Sequence, residues 1–172
     1  MKSAAAARPA RPKIAMPALF ESLDATHREA LKVLQALERL LAHVDDNGPD
    51  DAARDSAREI LAFFNGPARQ HHVDEESLVF PELLASGDAE LMQHVRRLQQ
   101  DHGWLEQDWL ELSAPIEAIA NGYNWYDLAM LRGAVPVFLA LYQEHIVLEE
   151  SVVYPAAKRR REAAAAPRAS RR

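Results

Sequence analysis

The stretch from His71 to Pro81, HHVDEESLVFP, returns from His145 to Pro155 as HIVLEESVVYP, with seven of eleven positions identical. Each copy follows a lone histidine at nearly the same distance: His27 precedes His71 by 44 residues, and His102 precedes His145 by 43. A chain that writes one long unit twice in register is constrained to fold as two matching halves. The unit itself is helical. Apolar residues recur three or four apart from Phe20 to Val44, from Ile60 to Leu83, from Leu91 to Ile119 and from Leu128 to Val153, which is the spacing of one helix face. DDNGPDD, ASGD and NGYN separate these runs and carry the residues that stop helices. NGP at 65–67 predicts a kink inside the second run, because Pro67 has no N–H and restricts the residue before it. Pro115 and Pro136 predict further bends, and the fourth run fades after Pro155. No segment alternates with period two for long enough to form a strand. The expected fold is all-α, an up-down-up-down four-helix bundle with a pseudo-two-fold helical-hairpin repeat.

The repeat places ionisable groups where a core belongs. Residues four apart share a helix face, so His71 pairs with Glu75 and His145 with Glu149, and both pairs fall on the apolar stripes. His27 and His102 lie on the stripes of the first and third helices. Counting from the turns at about 1.5 Å per residue brings all four histidines to one level, within about one turn. Burying two carboxylates without a cation costs several kcal/mol per ion or forces them neutral. Two of them beside four imidazoles therefore point to a metal site. Four His and two Glu can give each of two ions two imidazoles and a share in both carboxylates. Open positions would remain for a bridging oxygen and a small ligand. That donor set favours iron, with manganese and zinc ranked below it.

Other candidates are weaker. His72 with Glu76 repeats the spacing, but the second copy has Ile146 where the first has His72, so His72 reads as flanking. Glu106 could face the site or be solvated. Asp24 could orient His27 or lie at the surface. Tyr142 and Trp109 read as core, and His43 and His94 have no evident partners.

The chain has no cysteine, which excludes disulfides, thiolate metal sites and thiol nucleophiles. Residues 1–16 carry +4 and residues 156–172 carry +6, so a total of −6 leaves −16 on the body between them. An acidic body favours cations over nucleic acid, while the basic ends could contact anions. The expected organisation is a disordered basic arm over 1–16, the bundle over 17–157 and a disordered basic tail over 158–172. No apolar run reaches the length of a membrane span. The N-terminus does not read as a secretory signal, and the expected location is the cytoplasm.

His27, His71-xxx-Glu75, His102 and His145-xxx-Glu149, followed by EESLVFP and EESVVYP, resemble the hemerythrin-like, HHE cation-binding domain family over about residues 17–157. That resemblance implies a non-haem di-iron centre, oxo-bridged, with His27, His71, Glu75, His102, His145 and Glu149 as ligands and the two glutamates as bridges. It implies binding or reaction with oxygen, peroxide or nitric oxide, or iron sensing, with iron storage or delivery without turnover as the alternative. Oxygen carriers of the family differ from this chain. They use a His-xxx-His pair in the third helix, where this chain has Leu98 or Glu106 beside His102, and a His-xxxx-Asp in the fourth. The set here is similar to four-His, two-Glu members, among them bacterial repair proteins for iron centres and F-box iron sensors. The repair proteins also carry a cysteine-containing domain, and this chain has no cysteine.

Overall fold

A computed structural model describes residues 16–166. Four long helical rods form an antiparallel bundle. The first is α1 (Met16–Asn47); the second is α2 (Asp51–Asn65), α3 (Pro67–Leu78) and the short α4 (Phe80–Leu84); the third is α5 (Ala89–Ala120). The fourth is α6 (Leu128–Leu148), a π-helical turn at Glu149–Val153, and α7 (Tyr154–Ala165). Among the described residues there is no strand, and no helix is long and apolar enough to cross a membrane. The all-α bundle expected from the periodicity is therefore the fold.

The rods begin where the sequence supplies caps. Asp50, Asp88 and Asp127 each accept a hydrogen bond from a backbone N–H three residues on, at Ala53, Leu91 and Met130. Gly48 and Gly122 close the hairpins at one end of the bundle with φ of 73°, a backbone state that costs glycine little. The expected break at NGP lies between α2 and α3, with Pro67 opening the new helix. Trp109 holds this joint from the third rod, donating its indole N–H to Asn65 Oδ1 at 2.8 Å. At Pro115 and Pro136, by contrast, α5 and α6 continue without interruption. Each proline loses one backbone bond inside a long helix that packing holds in place.

The tail expected from residue 158 needs correction. Helix α7 runs on to Ala165. Lys158 and Arg161 lie over the Phe20 ring at 5.0 and 5.4 Å. Lys158 also reaches Asp24 at 3.4 Å, and Arg161 reaches Glu82 at 2.7 Å. Cation–π contact and ion pairs thus dock the start of the basic segment on the bundle. The arm expected over 1–16 lies outside the described residues up to residue 15, as does the end of the tail from 167.

The apolar core is in two parts. One cluster, from Ala30, Leu34 and Leu37 through Phe64, Trp109 and Phe138, fills the end with the Gly48 and Gly122 turns. The other, with Leu19, Phe20, Leu23, Phe80, Leu83, Val95 and Tyr154, fills the end where α4 and α7 pack. The histidines lie between them.

Candidate metal centre

His27, His71, Glu75, His102, His145 and Glu149 come from all four rods and are all buried, with both glutamates at 0% exposure. The imidazoles present Nε2 to a common centre. Nε2 of His27 faces Nε2 of His71 at 3.0 Å. Glu75 Oε2 is 3.5 Å from His71 Nε2 and 3.3 Å from His102 Nε2. Glu149 is 3.0 Å from His27 Nε2, 3.1 Å from His145 Nε2 and 3.9 Å from His102 Nε2. Each carboxylate therefore touches imidazoles of both halves. Two groups of metal-sized spacing result: His27, His71, Glu75 and Glu149, and His102, His145, Glu75 and Glu149, each with donor atoms within 4.8 Å of one another. The two groups share both glutamates.

Much of this set converges without pairing. Ten buried side-chain nitrogens and oxygens of the described residues lack a hydrogen-bond partner, and nine belong to these six residues, His72 and Asp101. Five of them, Glu75 Oε2, His102 Nε2, His145 Nε2 and both Glu149 oxygens, face the common centre; such orphans are costly in a core, and a cation there would satisfy these five together. Iron, manganese and zinc are all compatible with nitrogen and carboxylate donors of this kind.

The charges agree. Burial pushes the His71 imidazole down to about 4, which keeps it neutral and free to bind a metal. Burial alone would lower His27 too, but its contacts with Glu149 and the nearby Glu75 hold it above its ordinary value. Glu149 is raised well above the carboxylate range by burial and by the facing charge of Glu75. Two carboxylates this close cannot both ionise freely without a cation.

Behind the ring of Nε2 atoms lies a support that the sequence did not reveal. His27 Nδ1 meets Glu150 at 3.0 Å, and His102 Nδ1 meets Glu76 at 2.9 Å. These are the second glutamates of the two EES copies, and each reaches the histidine of the opposite hairpin. Carboxylates in this place fix the tautomer and orientation of a metal-binding imidazole. The signal was present in the repeat, since both positions are identical in the two copies. Asp101, 1% exposed, lies behind His145 Nδ1 at 3.8 Å, beyond hydrogen-bond length. Replacing Glu76 or Glu150 with alanine is expected to weaken metal binding by about 10- to 100-fold. Both side chains are close to half exposed, so the fold should survive. Competition titration against a chelator measures the loss, and unchanged affinity in both variants would remove the supporting role.

The residues after the paired positions also depart from regular helix. The N–H of Tyr154 bonds to the carbonyl of Glu149, five residues back, closing the π-helical turn, a feature common at functional sites. The extra residue in the turn brings Tyr154 over the site. Its ring lies parallel to His27 with centroids 5.4 Å apart, as Phe80 lies on His102 at 5.6 Å. Only Tyr154 carries a hydroxyl, which donates to Glu75 and lies 3.4 Å from His27 Nε2. Burial and both glutamate charges raise its pKa, so it stays a donor.

The weaker sequence candidates resolve as follows. Glu106 is exposed and pairs with Arg69. Asp24 pairs with Lys158 rather than His27. Tyr142 and Trp109 are buried in the apolar core. His43 pairs with Asp50 at 2.9 Å. His72 is not a bystander: its ring stacks on His102 at 4.0 Å.

Comparison with known proteins agrees with this geometry. The family model described as hemerythrin HHE cation binding domain matches residues 18–157. An uncharacterised protein of Haemophilus influenzae is 28% identical over 131 residues, covering 76% of this chain and 74% of the relative. No solved structure matches the chain.

Proposed function

Because the chain belongs to the hemerythrin HHE cation-binding domain family, we propose that its core holds two iron ions and serves a non-haem di-iron protein that binds or reacts with a small oxidant: oxygen, peroxide or nitric oxide. The observation that supports this most is the pair of four-residue groups that share Glu75 and Glu149. His27 and His71 would hold one ion, His102 and His145 the other, and the two glutamates both. Iron in such a site supplies electron exchange and positions open to an outside ligand.

The protein's own groups set the conditions for that chemistry. Glu150 and Glu76 orient His27 and His102 from behind. Tyr154 holds Glu75 by a hydrogen bond and keeps a proton beside the site. Apolar clusters close the layer above and below. The two halves offer the same number of imidazoles, unlike oxygen carriers, which crowd one ion. We therefore read the site as one that reacts with its ligand, and reversible oxygen carriage is not expected.

Protein reconstituted anaerobically with ferrous iron should hold two iron ions per chain, measured by elemental analysis against protein concentration. One zinc per chain and no iron, even after reconstitution, would defeat the di-iron reading.

A further inference from the structure

A cavity of about 630 Å³ lies between α3 and α5. Its walls run from exposed residues, among them Arg69 and Gly103, to the buried Phe64, Tyr142 and His102. It thus leads from the surface to an imidazole of the proposed metal centre. The volume is that of a small-molecule site.

Two departures from the internal repeat line this cavity. Where one half has His72, the other has Ile146, buried in the apolar core. Where one half has Gly103 after its histidine, the other has Arg28. Glycine in the middle of a helix is unfavourable. Here no crowding requires it, since a Cβ added at Gly103 would meet nothing within 4 Å. What the missing side chain leaves is open space in the cavity wall.

His72 Nε2 is buried and has no hydrogen-bond partner. A ring nitrogen of His72 lies within 4.8 Å of ring nitrogens of His102 and His145. Yet the His72 and His102 rings are stacked, 17° from parallel with centroids 4.0 Å apart. Their in-plane lone pairs run side by side and do not converge on one ion. His72 would thus stand beside an ion held by His102 and His145, and it lines the cavity together with His102.

We infer that this cavity is the entry route and pocket for the outside ligand of the centre, that Gly103 keeps it open, and that His72 hydrogen-bonds the ligand next to the His102/His145 position. The inference rests on the proposed two-metal reading. The ligand class is a small polar or anionic molecule with an acceptor atom, approaching from one half of the pseudo-symmetric site only.

Azide is the probe. Wild type, His72→Ala, His72→Gln and Gly103→Leu are loaded with iron and oxidised, their iron content is measured, and azide binding is followed by absorbance in titration and stopped flow. All four should hold two irons. His72→Ala should weaken azide by about tenfold, the loss of one hydrogen bond, and His72→Gln should recover part of that. Gly103→Leu should slow association at least several-fold with little change in iron content. Azide binding like wild type in both His72→Ala and Gly103→Leu, with two irons present, overturns the inference. Loss of one iron on His72→Ala also overturns it, by making His72 a ligand. A wild type that holds no iron fails the two-metal reading instead, before azide is added.

Discussion

Removing the metal is expected to lower the melting temperature by about 10–20 °C. Each ion held as proposed, by the native state alone, would stabilise it by RT ln(1 + [L]/Kd), about 2.7 kcal/mol at a hundredfold excess over Kd. Two ions give about 5 kcal/mol, and in a chain of this size each kcal/mol moves the midpoint by about 2–4 °C. The loss should exceed this ligand term if the bare site strains, since buried nitrogens and oxygens then face each other without partners. Calorimetry of chelator-stripped and reloaded protein measures the difference. Equal midpoints would show that the six residues do not enclose a cation.

The second large effect has the opposite sign. Replacing Glu75 and Glu149 together with leucine should make the metal-free protein more stable than metal-free wild type, by about 1–4 kcal/mol. Both carboxylates are fully buried and lie where the two apolar clusters would otherwise meet. Leucine has a similar volume and no charge to desolvate, a gain expected to outweigh the loss of the Tyr154 hydroxyl's acceptor and of the carboxylate facing His27. The same variant should lose all response to added iron, so its melting point stays fixed where wild type rises. Denaturant unfolding of both proteins, with and without metal, tests the pair of outcomes. A variant less stable than stripped wild type would mean that the glutamates contribute to the bare fold by themselves.

The sequence revealed what depends on one helix at a time. The positions of His27, His71, Glu75, His102, His145 and Glu149 on inward faces followed from spacing of 3.6 residues per turn, and the repeat set their common level. The structure brings these six side chains together. What stayed hidden depends on two helices or on a broken period. Glu76 and Glu150 sit about 100° around the helix from their inward neighbours, on what reads as a solvent face, and only the opposite hairpin gives them a partner. Tyr154 falls off the inward face of a regular α-helix, and the π-helical turn at Glu149–Val153 restores it. His72 looked incidental because the repeat does not copy it, although that same asymmetry marks the cavity. Helix α7 was missed because its outward side is too charged to show a periodic stripe, while Phe20, Asp24 and Glu82 anchor it from other rods.

The crossed carboxylates have a consequence for assembly. Glu150 backs a histidine 123 residues earlier in the chain, and Glu76 one 26 residues later. Each hairpin thus lends its counterpart the brace that its own histidine lacks. Neither half is a self-sufficient chelator: alone, it would carry two imidazoles and a carboxylate, with one imidazole free to turn. The halves interlock like clasped hands, and the proposed pocket exists only once both have closed. Contacts this distant along the chain are costly to form early. Ions held as proposed would accordingly bind late, as the keystone of a finished arch, after the first and fourth rods have met.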